Sequence, residues 1–257
     1  MSSGLQILFE DNHVLAVAKP APLLTQSARA ESAEPVTSLE LLVREHIRTR
    51  YSKPGNVYLG IPHRLDRPVS GVVVFARNSK AARRLAEQFR ERQVTKEYWA
   101  AVEGAPTTPT GTWETWLRKV PDQARAEVTE PGSPGARSAR TRYRVLTSLP
   151  DRTLLELVPE TGRMHQLRLQ CSQAGMPVIG DELYGSTLPF GPSSELTRDR
   201  IVALHARRLS ILHPISFERL VFTAPLPEYW LATNLPLPPA VFKSLNSDPG
   251  PRSPISG

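Results

Sequence analysis

The sequence predicts an α+β fold with a mixed, mostly antiparallel β-sheet. Many short segments are apolar or alternate between apolar and polar residues, as strands do, and only a few have the spacing of an amphipathic helix. Strands and helices do not alternate regularly, which argues against a doubly wound parallel sheet. The length of 257 residues, 40% of them hydrophobic, suffices for one large domain or two small ones.

Most of the predicted elements are strands, each a short run bounded by turn-forming residues. In residues 140–145 three arginines alternate with less polar residues, so this strand has one basic face. Residues 104–138 are rich in turn formers, and we interpret them as a β-rich excursion within the same domain. The other strands are predicted at residues 5–9, 13–18, 71–77, 96–102, 154–158, 203–211 and 217–223.

Three segments have helical spacing. Asn78 or Ser79 can cap the second one, because their side chains accept hydrogen bonds from free backbone N–H groups. Gly175 is expected to end the third helix. The apolar stripe of that helix consists of Met164, Leu167, Cys171 and Ala174. The helices are predicted at residues 38–51, 79–93 and 163–174, with a shorter one within 225–235.

The pattern predicts one domain over residues 5–243. Residues 1–4 are expected to be a flexible N-terminus, and residues 26–38, which are small and polar, a flexible loop. Residues 244–257 are rich in Ser, Pro and Gly with few apolar residues, so a disordered tail is expected.

The chain is basic, with a formal charge of +7, and 26 of its 32 basic residues are arginines. Arginine matches the geometry of phosphates and stacks on bases, and a basic surface attracts polyanions. Arginine-rich codon usage would give the same composition, and the 25 prolines agree with that alternative. Composition by itself therefore leaves both interpretations open.

Several classes of protein lack their signals in this sequence. No apolar run is long enough to cross a bilayer, and no signal peptide is visible. The lone Cys171 excludes an internal disulfide and fits a reducing cytosol. The histidines show no metal-site spacing, and neither a phosphate-binding glycine loop nor a Gly-x-Ser-x-Gly elbow occurs. We therefore expect carboxylate chemistry without metal or bound cofactor.

The most informative segment is residues 63–71, which read HRLDRPVSG. It places one carboxylate, Asp66, among two arginines and a histidine, directly before a buried strand. Cationic neighbours favour the ionised form of a carboxylate, so we expect Asp66 to be negatively charged at neutral pH. An anion presented on a basic surface suggests chemistry on a nucleic acid rather than binding alone.

A second polar cluster occupies residues 161–168, TGRMHQLR. It lies at a predicted helix start, where free N–H groups favour anions. His165 and Arg168 are three residues apart and share a helical face, so Arg168 could pair with Asp66 if that face meets the loop. The alternative is an ordinary helix start with solvated charges.

Tyr98 is the third candidate. It lies on the strand that follows the helix after the Asp66 loop. Its ring could stack on a base and its hydroxyl could exchange a proton. The alternative is a tyrosine packed in the core, which is the common role of a strand aromatic.

In this order, these segments resemble the RluA-type pseudouridine synthases. The resemblance covers residues 5–235. Residues 63–71 are similar to the catalytic motif of that family, 96–100 to its tyrosine strand, and 161–168 to its arginine motif, which continues over 175–185. Residues 7–20 resemble the opening motif and residues 204–214 the closing one.

The resemblance implies isomerisation of uridine to pseudouridine within RNA, on one α+β domain whose sheet is split by a basic cleft. It implies that Asp66 is the catalytic aspartate, that Arg168 forms an ion pair with it, and that Tyr98 stacks on the target base and handles the C5 proton. Arg64 would replace the extruded nucleotide in the RNA stack, and Leu209 would help to wall the uracil pocket. The other residues expected to bind RNA are His63, Arg67, Arg163, His165 and Gln166.

The implied partner is ribosomal or transfer RNA, and we expect no membrane, no DNA, no separate S4-type RNA-binding domain, a monomer and a cytoplasmic location. Pro22, Val69, Met164 and Gln170 depart from the usual family pattern, which bears on loop shape and substrate choice. Two other functions remain to be distinguished by experiment. One is an RNA-binding or folding-assistance protein without catalysis, and the other is a nucleoside glycosidase, which would need a second acid.

Overall fold

The structure is a computed structural model that describes residues 5–27 and 37–237. The flexible N-terminus and tail predicted at 1–4 and 244–257 lie outside the described residues, as does most of the loop predicted at 26–38.

Ten strands and three α-helices occur in the described part of the chain. The strands are β1 Gln6–Glu10, β2 Val14–Lys19, β3 Ser70–Ala76, β4 Thr95–Glu103, β5 Thr110–Lys119, β6 Ala126–Val128, β7 Arg137–Ser148, β8 Arg152–Pro159, β9 Leu204–Leu212 and β10 Arg219–Thr223. The helices are α1 Leu39–Arg50, α2 Ser79–Arg90 and α3 Gln166–Gln173, and short 3-10 helices occur at Glu182–Tyr184, Thr197–Asp199 and Glu228–Thr233.

The strands form one sheet in the order β1-β2-β3-β9-β4-β8-β7-β5-β6, with β10 paired to β9. Every strand pair in the described residues is antiparallel except β3 with β9. This confirms the predicted α+β fold with a mixed, mostly antiparallel sheet. The excursion at 104–138 proves to be β5, β6 and the start of β7, continuous with the same sheet.

Both faces of the central strands are buried. On β3, Val73 and Phe75 belong to the large core cluster that also contains the buried face of α1, whereas Val72 and Val74 belong to a second cluster under α2. Successive side chains of a strand point to opposite faces, so a strand covered on both faces reads as a continuous apolar run. This explains the run that follows the Asp66 loop.

The parallel contact of β3 with β9 requires a glycine. The two strands pair only through Ser70 with His205 and Gly71 with Ala206. Gly71 has φ +122°, and a Cβ there would lie 2.3 Å from the carbonyl oxygen of Ala206. No other residue fits this backbone conformation at such close approach. The contact holds the loop that precedes β3 beside the start of β9.

Helix α3 begins later than predicted. His165 is in the left-handed conformation, with φ 53°, so the helix starts at Gln166 rather than at residue 163. The predicted apolar stripe is also partly wrong, because Ala174 is exposed and the helix is buried from Gln166 to Cys171. Gly175, with φ +75°, follows the helix as expected. None of the helices described is long and apolar enough to span a bilayer.

Candidate active site

A cavity of about 930 Å³ opens beside the loop that joins α1 to β3. Its volume lies within the range of about 300–1,000 Å³ of small-ligand sites. Seven lysine or arginine side chains line the cavity, against two carboxylates, Asp66 and Glu160. The lining residues come mainly from segments 62–69, 89–98 and 158–168, together with Arg142 and Leu204. The predicted basic cleft is therefore present.

Hydrogen bonds hold the loop that carries Asp66 against the end of β2 and the segment that follows it. Thr25 Oγ1 donates to the carbonyl of Leu65 at 2.9 Å and accepts from its N–H at 3.1 Å. Lys19 Nζ donates to the carbonyl of Leu23 at 2.7 Å, and to those of Pro20 and Arg67 at 3.2 Å. A lysine has three donors, and here all three hold backbone carbonyls. The loop is thus fixed on both sides of Asp66.

Lys19 is buried, and its pKa is unusually low for a lysine. Its exposed fraction is 1%, and burial lowers its pKa to about 7, an effect partly offset by the negative charge of Asp66. We did not predict a site role for Lys19 from the sequence. The available signal was a lysine that ends an otherwise apolar strand.

Asp66 faces two basic side chains. Its side chain is 28% exposed, and its Oδ2 lies 3.7 Å from His165 Nε2 and 3.9 Å from Arg168 Nη1. The sequence placed these three residues in one site, and the structure brings them together. Arg168, however, makes its hydrogen bonds to a different carboxylate, since Nε and Nη2 each donate to Asp181 at 2.6 Å.

Tyr98 lines the same cavity, as expected. Burial, together with the negative charge of Asp66, raises the pKa of its phenol well above the ordinary value. The phenol therefore keeps its proton at neutral pH and is available as a donor.

Two predicted RNA-binding residues instead use their polar atoms within the protein. His63 Nε2 accepts from the N–H of Val74 at 3.0 Å, the ring stacks on Phe89, and burial lowers the His63 pKa to about 3. The Gln166 carbonyl accepts from Thr161 Oγ1 at 2.7 Å and from the N–H of Arg163 at 3.0 Å. Both side chains shape the cavity wall.

The predicted arginines divide into two groups. Arg64 is exposed and Arg163 half-buried, and both line the cavity. Arg67 does not line it, because its Nη2 donates to Asp199 at 2.9 Å on another side of the loop. The expected contact of Arg67 with RNA therefore does not lie in this cavity. Arg92 and Lys96, for which we predicted no role, do line it.

Leu209, which was expected to help to wall the uracil pocket, does not line the cavity either. It is buried in the cluster under α2, and the strand contributes Leu204 to the cavity instead. Leu204 belongs to the large core cluster rather than to the one under α2.

Among residues 5–27 and 37–237, no group of three or more His, Cys, Asp or Glu side chains could hold a metal ion. Cys171 is buried, which matches its predicted place on the apolar side of α3.

Comparison with known proteins identifies the family. The family model for RNA pseudouridylate synthase matches residues 13–173. The chain belongs to this family. The resemblance to RluA-type pseudouridine synthases is thereby confirmed, and the matched residues include Asp66, Tyr98 and Arg168 of the cavity.

Relatives and solved structures of pseudouridine synthases match most of this family member. The ribosomal large subunit pseudouridine synthase D of Xanthomonas campestris is 36% identical over 231 residues, covering 87% of this chain and 66% of that protein. The tRNA pseudouridine synthase C of Haemophilus ducreyi is 33% identical over 237 residues, covering 88% and 93%. The structure of human RNA Pseudouridylate Synthase Domain Containing 4 superposes with a TM-score of 0.72 at 26% identity, covering 91% and 94%. The chain spans 66%, 67% and 52% of the length of three of the curated relatives that it matches, the Xanthomonas campestris protein among them.

Proposed function

We propose that this protein is an RNA pseudouridine synthase, which isomerises uridines in structured RNA. The observation that carries the proposal is the place of Asp66, a partly exposed carboxylate in a cavity whose other charged groups are mostly cationic. Such a lining attracts a polyanion. Membership of the RNA pseudouridylate synthase family supports the same conclusion.

The residues of the cavity suit each step of the isomerisation. The target uridine leaves its stack at a cost of a few kcal/mol, and the exposed Arg64 takes its place. The C1′–N1 bond then breaks, the retained uracil turns, and C1′ bonds to C5, which gives up its proton while N1 gains one. Tyr98 stacks on the base, and its protonated phenol takes part in this exchange.

The carboxylate of Asp66 acts on the sugar. Three roles fit an anion at this place: stabilising positive character at C1′, bonding covalently to C1′, or removing the 2′ proton. All three need an ionised, correctly aimed oxygen. His165 and Arg168 supply the electrostatic environment for it.

The substrate is ribosomal or transfer RNA, in keeping with the names of the relatives. We further propose that the protein acts as a cytoplasmic monomer, does not use DNA, and needs no metal or organic cofactor. Substrate choice then depends on the loops around the cavity, such as the one that carries Arg64.

Release of tritium from RNA labelled at uracil C5 tests the proposal. Ribosomal and transfer RNA from cells that lack the protein are the two substrate pools. We expect tritium release from one pool, with the base retained in the RNA. In Asp66→Asn the rate of release should fall at least about 1,000-fold, which corresponds to about 4 kcal/mol of transition-state stabilisation. Free uracil would indicate a glycosidase instead. RNA binding without tritium release would indicate a protein without catalysis.

A further inference from the structure

Behind the cavity wall, Tyr184 contacts both basic groups that face Asp66. Its hydroxyl lies 2.7 Å from His165 Nδ1, and its ring lies 4.9 Å from the guanidinium carbon of Arg168. Tyr184 itself does not line the cavity. Tyr184 can therefore act on Asp66 through these two neighbours.

The two ring nitrogens of His165 face different partners. Nε2 faces the Asp66 carboxylate at 3.7 Å, and Nδ1 faces the Tyr184 hydroxyl. Burial lowers the pKa of His165, although the charge of Asp66 opposes this, so the ring carries one proton at neutral pH. A proton on Nδ1 would turn the Nε2 lone pair towards a carboxylate. The electrostatics therefore favour the tautomer with the proton on Nε2.

With the proton on Nε2, Nδ1 needs a hydrogen-bond donor, and the Tyr184 hydroxyl is placed to provide it. The N–H of Ala126 donates to the Tyr184 oxygen at 3.1 Å, which occupies that oxygen as an acceptor. The carbonyl of Ala126 also lies 3.2 Å from the hydroxyl, but the His165 contact is shorter. We assign the single hydroxyl proton to the contact with His165 because it is the shorter of the two.

We propose that Tyr184 is a positioning residue that fixes His165 as the Nε2–H tautomer and so directs an N–H group at Asp66. The partner of one imidazole nitrogen commonly decides which proton the other carries. The catalytic consequence rests on the proposed function, whereas the tautomer is a property of the free protein. The two claims are therefore tested separately.

The test is Tyr184→Phe, which keeps the ring beside Arg168 and removes only the hydroxyl. In protein labelled with ¹⁵N-histidine, with the His165 signals assigned by their loss in His165→Gln, we expect wild type to show a protonated Nε2 and an unprotonated Nδ1. In Tyr184→Phe the two tautomers should mix. We expect kcat to fall about fivefold, the scale of one neutral hydrogen bond, while KM stays within about twofold.

Tyr51→Phe is the matched control. It also removes a tyrosine hydroxyl with a hydrogen bond, at 2.9 Å to Glu10, but at a site that does not line the cavity. The His165 signals and kcat should not change. Asp66→Asn separates the two influences even if Tyr184→Phe folds poorly, because the Tyr184 hydroxyl still faces Nδ1 in that variant. If Tyr184 fixes the tautomer, the Nε2–H form should persist in Asp66→Asn.

An Nδ1–H tautomer in wild type, unchanged His165 signals in Tyr184→Phe, or mixed tautomers in Asp66→Asn would overturn the inference. A tautomer shift in a protein that releases no tritium from RNA would leave the inference standing and contradict the proposed function.

Discussion

Arg168 binds Asp181 through two hydrogen bonds of 2.6 Å in a buried pair, while its nearest nitrogen stays 3.9 Å from Asp66. A bidentate pair fixes the plane of a guanidinium as well as its distance. Asp181 therefore sets the position of the positive charge that faces Asp66. The family resemblance identified Arg168 as the partner of Asp66, and the structure adds the carboxylate that holds Arg168 in place.

Asp181→Asn should impair both stability and catalysis. Removing one partner of a buried ion pair leaves the other charge uncompensated, so we expect the free energy of unfolding to fall by about 3 kcal/mol. Urea unfolding measures this. Asp199→Asn is the control, because its ion pair with Arg67 is partly exposed and should be worth less than about 1 kcal/mol.

A double variant separates the effect of the Arg168–Asp181 pair on stability from its effect on catalysis. Arg168→Met with Asp181→Leu replaces both charges by apolar groups, which should restore most of the lost stability but not the activity. Near-normal activity in the double variant would mean that Arg168 does not act on Asp66.

Tyr98→Phe should leave RNA binding nearly unchanged, because the ring that stacks on the base remains. The proton step loses its hydroxyl, and we expect kcat to fall by about 100-fold or more. Single-turnover kinetics with excess enzyme separate this effect from binding. Wild-type kcat in Tyr98→Phe would exclude a role for the hydroxyl.

Arg64 and Arg67 should contribute differently to RNA affinity, although they are only three residues apart. Arg64→Ala removes an exposed charge from the cavity, so we expect a weaker RNA affinity and a slope of log Kd against log salt that is smaller by about one. Arg67→Ala should leave both unchanged, because Arg67 pairs with Asp199 outside the cavity. Equal losses in the two variants would contradict this division.

His63 should make the protein less stable in acid. Its pKa is about 3 when folded and about 6.5 when unfolded, so between these values the unfolded chain binds more protons. The free energy of unfolding should therefore fall as the pH drops below 6.5, by up to about 1.4 kcal/mol per pH unit from this residue. Above pH 6.5 both states are neutral at His63, and its contribution is constant.

His63→Gln tests the assignment, because glutamine still offers an acceptor to the N–H of Val74 but does not titrate in this range. Urea unfolding at pH 7, 6 and 5 should show a smaller decline in the variant than in wild type. The same decline in both proteins would assign the acid sensitivity to other groups.

The fold was predictable where one physical signal dominates. β2 and β3 alternate between two buried faces, and their apolar runs and bounding turns predicted them to within one or two residues. Asn78 caps α2 as predicted, since its side chain accepts from the N–H of Ala81 at 2.9 Å. These features depend on residues close together in the chain.

The misplaced features depend on contacts distant in the chain. The start of α3 was wrong because the left-handed backbone at His165 is not visible in a periodic pattern. The ion pair of Arg67 was not predicted, because its partner, Asp199, lies 132 residues away. Asp181 follows a glycine in a family motif, but nothing local indicates that it binds Arg168.

The hydrogen bond from Lys19 to the carbonyl of Arg67 makes the lysine amine a reporter of the Asp66 loop. An amine that is enclosed and engaged in this way cannot meet a bulky acylating reagent until the loop separates from the first hairpin. The rate at which such a reagent labels Lys19 in the native protein would therefore measure how often the proposed active site comes apart. A tightly bound RNA should slow that labelling if it holds the loop in place.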